Sequence, residues 1–234
     1  MIIRTIIFTI SKLVSADIDR SGRGGAMSFV AVDDTGWPVA TRSRMLAAAM
    51  KLFSQYSFAG TSLQMIADEL DLTKAAIYYH FQTREKLLIA LMRPILSEIG
   101  KVVETAERQR GARARAEAML SGYADIVARN RSLAAVTVFD PSVRSVLRSQ
   151  PEWAAVIDRQ LALLAGVGSA VSGGINAAVV MTGLAGAASA ADPHLADDAL
   201  RKELVDIGRR VLRLPAPKHR QRRTVQLEPS PVTH

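Results

Sequence analysis

Two helical patterns that meet with almost nothing between them constrain this 234-residue chain more than any other feature. Leu63, Ile66, Ala67 and Leu70 recur at three- and four-residue steps, the spacing of one buried helical face. After Leu70 come only Asp71 and Leu72 before Thr73, a residue type that caps a helix by accepting from its free amides. Two short helices must therefore join across a turn of about three residues, as in a helix-turn-helix. Thr61-Ser62-Leu63-Gln64 reads as a capping box for the first of them, with Thr61 as the cap and Gln64 reaching back to its amide. Upstream, Leu46, Ala49, Phe53 and Tyr56 mark the inward face of a helix that begins at Thr41 and is broken by Ser57-Phe58-Ala59-Gly60.

The helix that Thr73 starts reads Lys74-Ala75-Ala76-Ile77-Tyr78-Tyr79-His80, followed by Phe81. At about 100° per residue, Ile77 and Phe81 share one side and pack inward. Ala75 and Tyr79 then point away, flanked by Ala76 and Tyr78. A DNA major groove admits a helix, and small residues early in that helix let its backbone approach the base edges. Ala75 and Ala76 supply that clearance, and Lys74 adds a cation at the entering end. Tyrosine and histidine side chains are phosphate partners on the flanks. The bland alternative makes Tyr78 a half-buried core residue and Tyr79 an ordinary surface one.

Hydrophobic residues make up 49% of the chain and aromatics only 5%, a balance that favours an all-α protein over a sandwich or barrel. The absence of cysteine excludes a disulfide framework and a thiolate metal site, and makes the reducing cytoplasm the expected setting. His80, His194, His219 and His234 match no zinc spacing, and there is no phosphate loop or nucleophile elbow. No catalytic residue, metal or cofactor is therefore expected. A net charge of +8 permits a nucleic-acid partner, but the six basic and four acidic residues from Thr41 to Ala90 leave only +2 there. Free amides at helix starts near Thr61, Thr73 and Thr83 would supplement so few cations.

Gly60-Thr61-Ser62, Ile66-Ala67, Leu72-Thr73-Lys74, Ile77-Tyr78-Tyr79-His80-Phe81 and Thr83-Arg84-Glu85-Lys86-Leu87, in that order, resemble the TetR family of bacterial transcriptional regulators. The resemblance implies an N-terminal three-helix helix-turn-helix domain, a larger helical C-terminal ligand-binding and dimerisation domain, and a homodimer on double-stranded DNA. It also implies that Thr61 or Ser62 holds a phosphate, that Thr73, Lys74, Ala75, Ala76, Tyr78, Tyr79 and His80 line the recognition helix, and that Arg84 stands in for a phosphate-binding lysine. Asp71 occupies a turn position where glycine is common in the family; aspartate tolerates the left-handed backbone better than most residues.

Composition divides the chain into a loose extension (1–40), the helix-turn-helix domain (41–88), a regulatory and dimerisation domain (89–214) and a basic tail (215–234). Residues 1 to 16 have the outline of a signal peptide, but Thr9, Ser11 and Lys12 interrupt its apolar run. Pro94 is expected to kink or break the helix after Thr83 near Arg93. From Gln160 to Ala191 there are 32 residues without a charge, long enough to span a membrane but interrupted by Gly and Ser. Gly183, Ala187 and Ala190 form a small-residue stripe there, read as a subunit interface with no membrane contact. Met119, Tyr123, Phe139, Trp153 and Met181 are candidates for lining a cavity for an unidentified apolar effector, or for ordinary core. The resulting expectation is a ligand-responsive repressor on a palindromic operator. A constitutive DNA-binding or chromosome-organising protein without an effector is the alternative.

Overall fold

Side-chain caps and one abrupt kink determine where the first helices run. The structure, a computed structural model, describes residues 39–215; the extension and the tail lie outside the described residues, apart from the opening of the first helix and Pro215. Ten helices and no strand occur among the described residues: α1 (Val39–Gly60), α2 (Leu63–Glu69), α3 (Lys74–His80), α4 (Arg84–Glu107), α5 (Ala112–Arg129), α6 (Arg131–Phe139), α7 (Pro141–Arg148), α8 (Pro151–Ala165), α9 (Ala170–Ala190) and α10 (Asp197–Leu212). The fold is all-α, as its composition led us to expect.

In α1, Met45, Ala48, Ala49, Leu52 and Phe53 are buried, as the helical period requires. Tyr56 departs from expectation at 55% exposed. Ser57 breaks the helix there with φ 63° and ψ 166°, so the inward position passes to Phe58, which packs edge-on against Phe53 with ring centroids 5.2 Å apart. A left-handed φ at a non-glycine residue is uncommon and must be held by its surroundings.

Two hydrophobic clusters fill the interior. One joins α1, α2 and α3 to Leu87, Leu88, Leu91 and Met92 of α4, and also takes in Val136, Val143, Leu147 and Trp153 from α6, α7 and α8. The other gathers Ile99, Val103 and Ala106 of α4 with residues of α5, α9 and α10. Helix α4 runs through both without interruption, with Pro94 inside it. The expected break near Arg93 is therefore absent, and the expected boundary between residues 88 and 89 falls within a continuous helix. A proline in a helix interior costs about 3 kcal/mol, and the apolar faces buried on either side of Pro94 offset it.

Helix α9 is long and apolar enough to cross a membrane by length and composition. Its inner side, with Ala177, Val180, Leu184 and Ala188, belongs to the second cluster, so placing it in lipid would empty that core. Its entry is tight: a methyl group added at Gly173 would lie 2.4 Å from the Ala165 carbonyl oxygen, whereas one at Gly174 would meet nothing within 4 Å. Gly173→Ala must therefore push backbone against backbone. We expect it to destabilise by about 1–3 kcal/mol, with a melting temperature several degrees lower. Gly174→Ala should be neutral or stabilising, because alanine is the better helix former. Thermal melts of the two variants check this pair.

Candidate nucleic-acid interface

The turn between α2 and α3 is built by local hydrogen bonds. The Ser62 hydroxyl accepts from the Met65 amide at 3.1 Å and is the cap of α2. Thr61, expected in that role, is only 1% exposed, and its hydroxyl donates to the Ser57 carbonyl at 2.8 Å. A phosphate contact through the Thr61 hydroxyl is thus replaced by one open to Ser62. Gln64 turns forward to Asp68 at 2.7 Å instead of back to the cap. Asp71 takes a left-handed φ of 54°, which lets the Leu72 amide return to the Ala67 carbonyl at 2.9 Å. The Thr73 hydroxyl accepts from Ala76 at 3.2 Å and starts α3, and Arg42 of α1 lies over the Phe81 ring at 5.2 Å.

Helix α3 is thereby fixed with one side in and the other out. Ile77 and Phe81 are buried, while Tyr78 and Tyr79 are 43% and 58% exposed. Ser62, Thr73, Lys74 and Ala75 are exposed as well; Ala76 and His80 are half-buried. The Lys74 ammonium stands 5.5 Å from the centre of the Tyr78 ring, and Tyr79 meets His80 edge-on at 5.6 Å. The resulting face carries a cation, two aromatic hydroxyls and a small-residue entrance.

Arg84, expected to hold a phosphate, has one guanidinium nitrogen turned to the backbone. Its Nη1 donates to the carbonyls of Phe58 (3.1 Å), Ala59 (2.9 Å) and Thr61 (2.8 Å), and its guanidinium lies 5.1 Å from the Phe58 ring centre. It ties the start of α4 to the kinked end of α1, where carbonyls have no helical partner.

The same residue, Phe58, is held from the other side by Asp140, between α6 and α7. Asp140 Oδ2 accepts from the Phe58 amide at 2.8 Å, while Oδ1 accepts from the Ser142 amide at 2.9 Å and from the Ser142 hydroxyl. Burial pushes this carboxyl up, but the Ser142, Phe58 and Val143 donors outweigh it and hold it below the usual carboxylate range. Sequence reasoning passed over Asp140. An aspartate before proline signals a helix cap, which accounts for Ser142, but a partner 82 residues away leaves no local trace.

Beneath this clamp, where the two hydrophobic clusters meet, lies a cavity of about 240 Å³. Met92, Leu147 and Trp153 come to its wall from one cluster; Ile99, Tyr123 and Ala134 come from the other. Of the residues singled out from sequence, Tyr123, Trp153 and Met181 line it, whereas Met119 is wholly buried in the core and Phe139 is 68% exposed. Burial pushes the Tyr123 phenol up, so it stays a neutral donor, and it bonds the Met181 carbonyl at 2.8 Å. On α9, Gly183, Ala187 and Ala190 face outward beside the exposed Val171, Ile175 and Val179.

Short helices on capped turns, the third presenting an exposed face, packed on further helices with a cavity between the two clusters, define a helix-turn-helix fold. Residues 45–91 match the family model for bacterial regulatory proteins of the tetR family. Over 57 residues the chain is 40% identical to the HTH-type transcriptional regulator RutR of Escherichia coli K12, which takes in 24% of this chain and 27% of that protein's length. The fold as a whole is similar to that of the ketosteroid transcriptional regulator KstR2 of Mycobacterium tuberculosis, with TM-score 0.58 at 15% identity over 76% of this chain and 95% of that one. It is also similar to AibR solved with isovaleryl coenzyme A and operator DNA, with TM-score 0.52 at 20% identity over 71% of this chain and 96% of that one. Residues 45–91 thus match the tetR family of bacterial regulatory proteins, and the likeness of fold extends over about three quarters of the chain.

The clamp makes Arg84 a stability residue. Arg84→Ala removes the donor of the Ala59 and Thr61 carbonyls, at about 1–3 kcal/mol each if left unsatisfied and buried, while the Phe58 carbonyl keeps the Thr61 amide. Because part of this site is open to water, we expect a net loss near the lower end and a lower melting temperature. Arg84→Lys should recover only part of it, since an ammonium lacks the flat face that lies over Phe58. Equal stability of all three proteins in thermal denaturation would contradict the assignment.

Proposed function

We propose that this protein is a sequence-specific DNA-binding transcriptional regulator, a cytoplasmic homodimer that represses from a palindromic operator and releases it when a small molecule enters the C-terminal cavity. The observation that carries this reading is the outward face of α3, where Lys74, Ala75, Tyr78 and Tyr79 are left open while Ile77 and Phe81 anchor the helix. Ala75 lets the backbone near base edges, Lys74 reads or holds the groove edge, and the tyrosines with Ser62 and Thr73 bond flanking phosphates. Arg84 Nη1, being engaged with carbonyls, leaves these groups and the surrounding amides to carry the phosphate contacts.

The apolar outer side of α9 supports the dimer. Val171, Ile175 and Val179 continue the line of Gly183, Ala187 and Ala190 along a helix whose opposite side is core. A symmetric pair of such faces buries the stripe and sets two copies of α3 apart by one turn of DNA, about 34–36 Å. Ligand response is supported by the cavity's place between the clusters, and by AibR, which was solved with both isovaleryl coenzyme A and operator DNA.

Selection of bound duplexes from a random pool should return a palindrome, with affinity falling steeply as salt rises because phosphate contacts release counterions. Binding indifferent to sequence and salt would refute the reading. Lys74→Ala should shift preference at one position per half-site, whereas Tyr79→Ala should lose affinity with little change in melting temperature.

Gly183→Leu examines the dimer separately. A methyl group added at Gly183 meets nothing within 4 Å in the subunit, so the fold should accept leucine. Across a two-fold interface the added bulk occurs twice, and sedimentation should show a shift toward monomer with loss of cooperative operator binding. A dimer as tight as the unmodified one would remove this face from the interface.

A further inference from the structure

The cavity's hydrogen-bonding groups are unevenly distributed, and the imbalance points to the charge of its occupant. Most of the wall is apolar, and three of its four neutral polar side chains, all but that of the exposed Thr182, already donate to the protein's own backbone. Tyr123 Oη donates to the Met181 carbonyl at 2.8 Å, Thr137 Oγ1 to Leu133 at 2.8 Å, and Asn130 Nδ2 to Ile126 at 2.8 Å. What these groups still offer is chiefly acceptor capacity.

The charged donors are those of Arg144 and Arg148. They are one helical turn apart on α7, so they share a face, and both line the cavity while remaining exposed to solvent. Among the described residues neither forms an ion pair, whereas Arg129, Arg131, Arg159 and Arg209 each meet a carboxylate. Arg144 spends Nη1 on the Val138 carbonyl at 2.6 Å, which steadies its stem and leaves other N–H groups available. Two guanidinium groups beside an apolar chamber, one of them steadied by the backbone, suit a ligand with a hydrocarbon body and one anionic head, carboxylate or phosphate, taken in the forked geometry arginine favours.

We propose that the cavity binds an amphipathic organic anion, its apolar part against Trp153 and the α4 and α5 walls and its head against Arg144 and Arg148. The proposal rests on reading this cavity as the effector site, and it names the class of effector. It also gives occupancy a route outward, because Val138 lies two residues before Asp140, whose carboxylate holds the Phe58 amide of the helix-turn-helix.

Decanoate, decyl phosphate and decanol, with the same hydrocarbon body and different heads, test it on the full-length protein by calorimetric titration. Decanoate, decyl phosphate or both should bind about tenfold or more tightly than decanol, as expected for hydrogen bonds to charged groups. Whichever of the two binds better identifies the head. The double variant Arg144→Gln, Arg148→Gln should bind the anion and decanol about equally. A circular dichroism melt like that of the unmodified protein establishes that the variant is folded; should it be unfolded, the comparison of heads on the unmodified protein decides alone. Decanol binding as tightly as the anions overturns the proposal, as does failure of all three to bind or undiminished anion binding by a folded double variant. Operator binding without any probe is measured in parallel. Its loss would strike at the DNA-binding reading and not at this one.

Discussion

Phe58 is held by both of its backbone polar groups, and much of the arrangement depends on that grip. Its amide is taken by Asp140 and its carbonyl by Arg84, while its ring packs on Phe53 and under the Arg84 guanidinium. The left-handed Ser57 immediately before it could not persist without such constraint. One carboxylate from the C-terminal half and one guanidinium from the start of α4 thus fix the kink that ends α1. That kink sets Thr61 inside, Ser62 at the cap, and so the direction in which α2 and α3 leave. An ionised Asp140 at neutral pH is suited to this role, because a charged acceptor bonds a backbone amide more strongly than a neutral one.

How much of this was legible in the sequence varied with the range of the interaction concerned. Elements set by local chemistry were readable: the short turn at Asp71-Leu72, the caps at Thr73 and Thr83, and the burial of Ile77 and Phe81. Tyr56 failed because its inward phase was right only while the helix continued, and Ser57 ends it. Thr61 and Ser62 are both good caps, and adjacent candidates cannot be ranked until one is known to face the core. Pro94 argued locally for a break that burial on both sides of it overrides.

At the candidate site the exposed α3 face could be anticipated, since helical phase decides it. The long-range partners could not. Arg84 looked like a phosphate ligand because its carbonyl partners lie 23 to 26 residues earlier in the chain, and nothing in Asp140-Pro141 names Phe58. Similarly, of five large apolar residues read as either cavity wall or core, three line the cavity, while Met119 and Phe139 show that size and type do not tell wall from core or surface.

The unbroken run of α4 has a mechanical consequence. At about 1.5 Å of rise per residue, its 24 residues make a rod roughly 36 Å long. Its first turns belong to the cluster beneath the helix-turn-helix, its later turns to the cluster of the C-terminal half, and Met92, Ile95 and Ile99 between them face the cavity. A tilt of about 5° about the far end carries the near end through roughly 3 Å for a rod of that length. Across the two-fold axis of the proposed dimer, the displacement would double. Pro94, exposed on the other side and without a backbone N–H, falls in sequence between Met92 and Ile95, so the rod lacks one helical hydrogen bond at the level of the chamber.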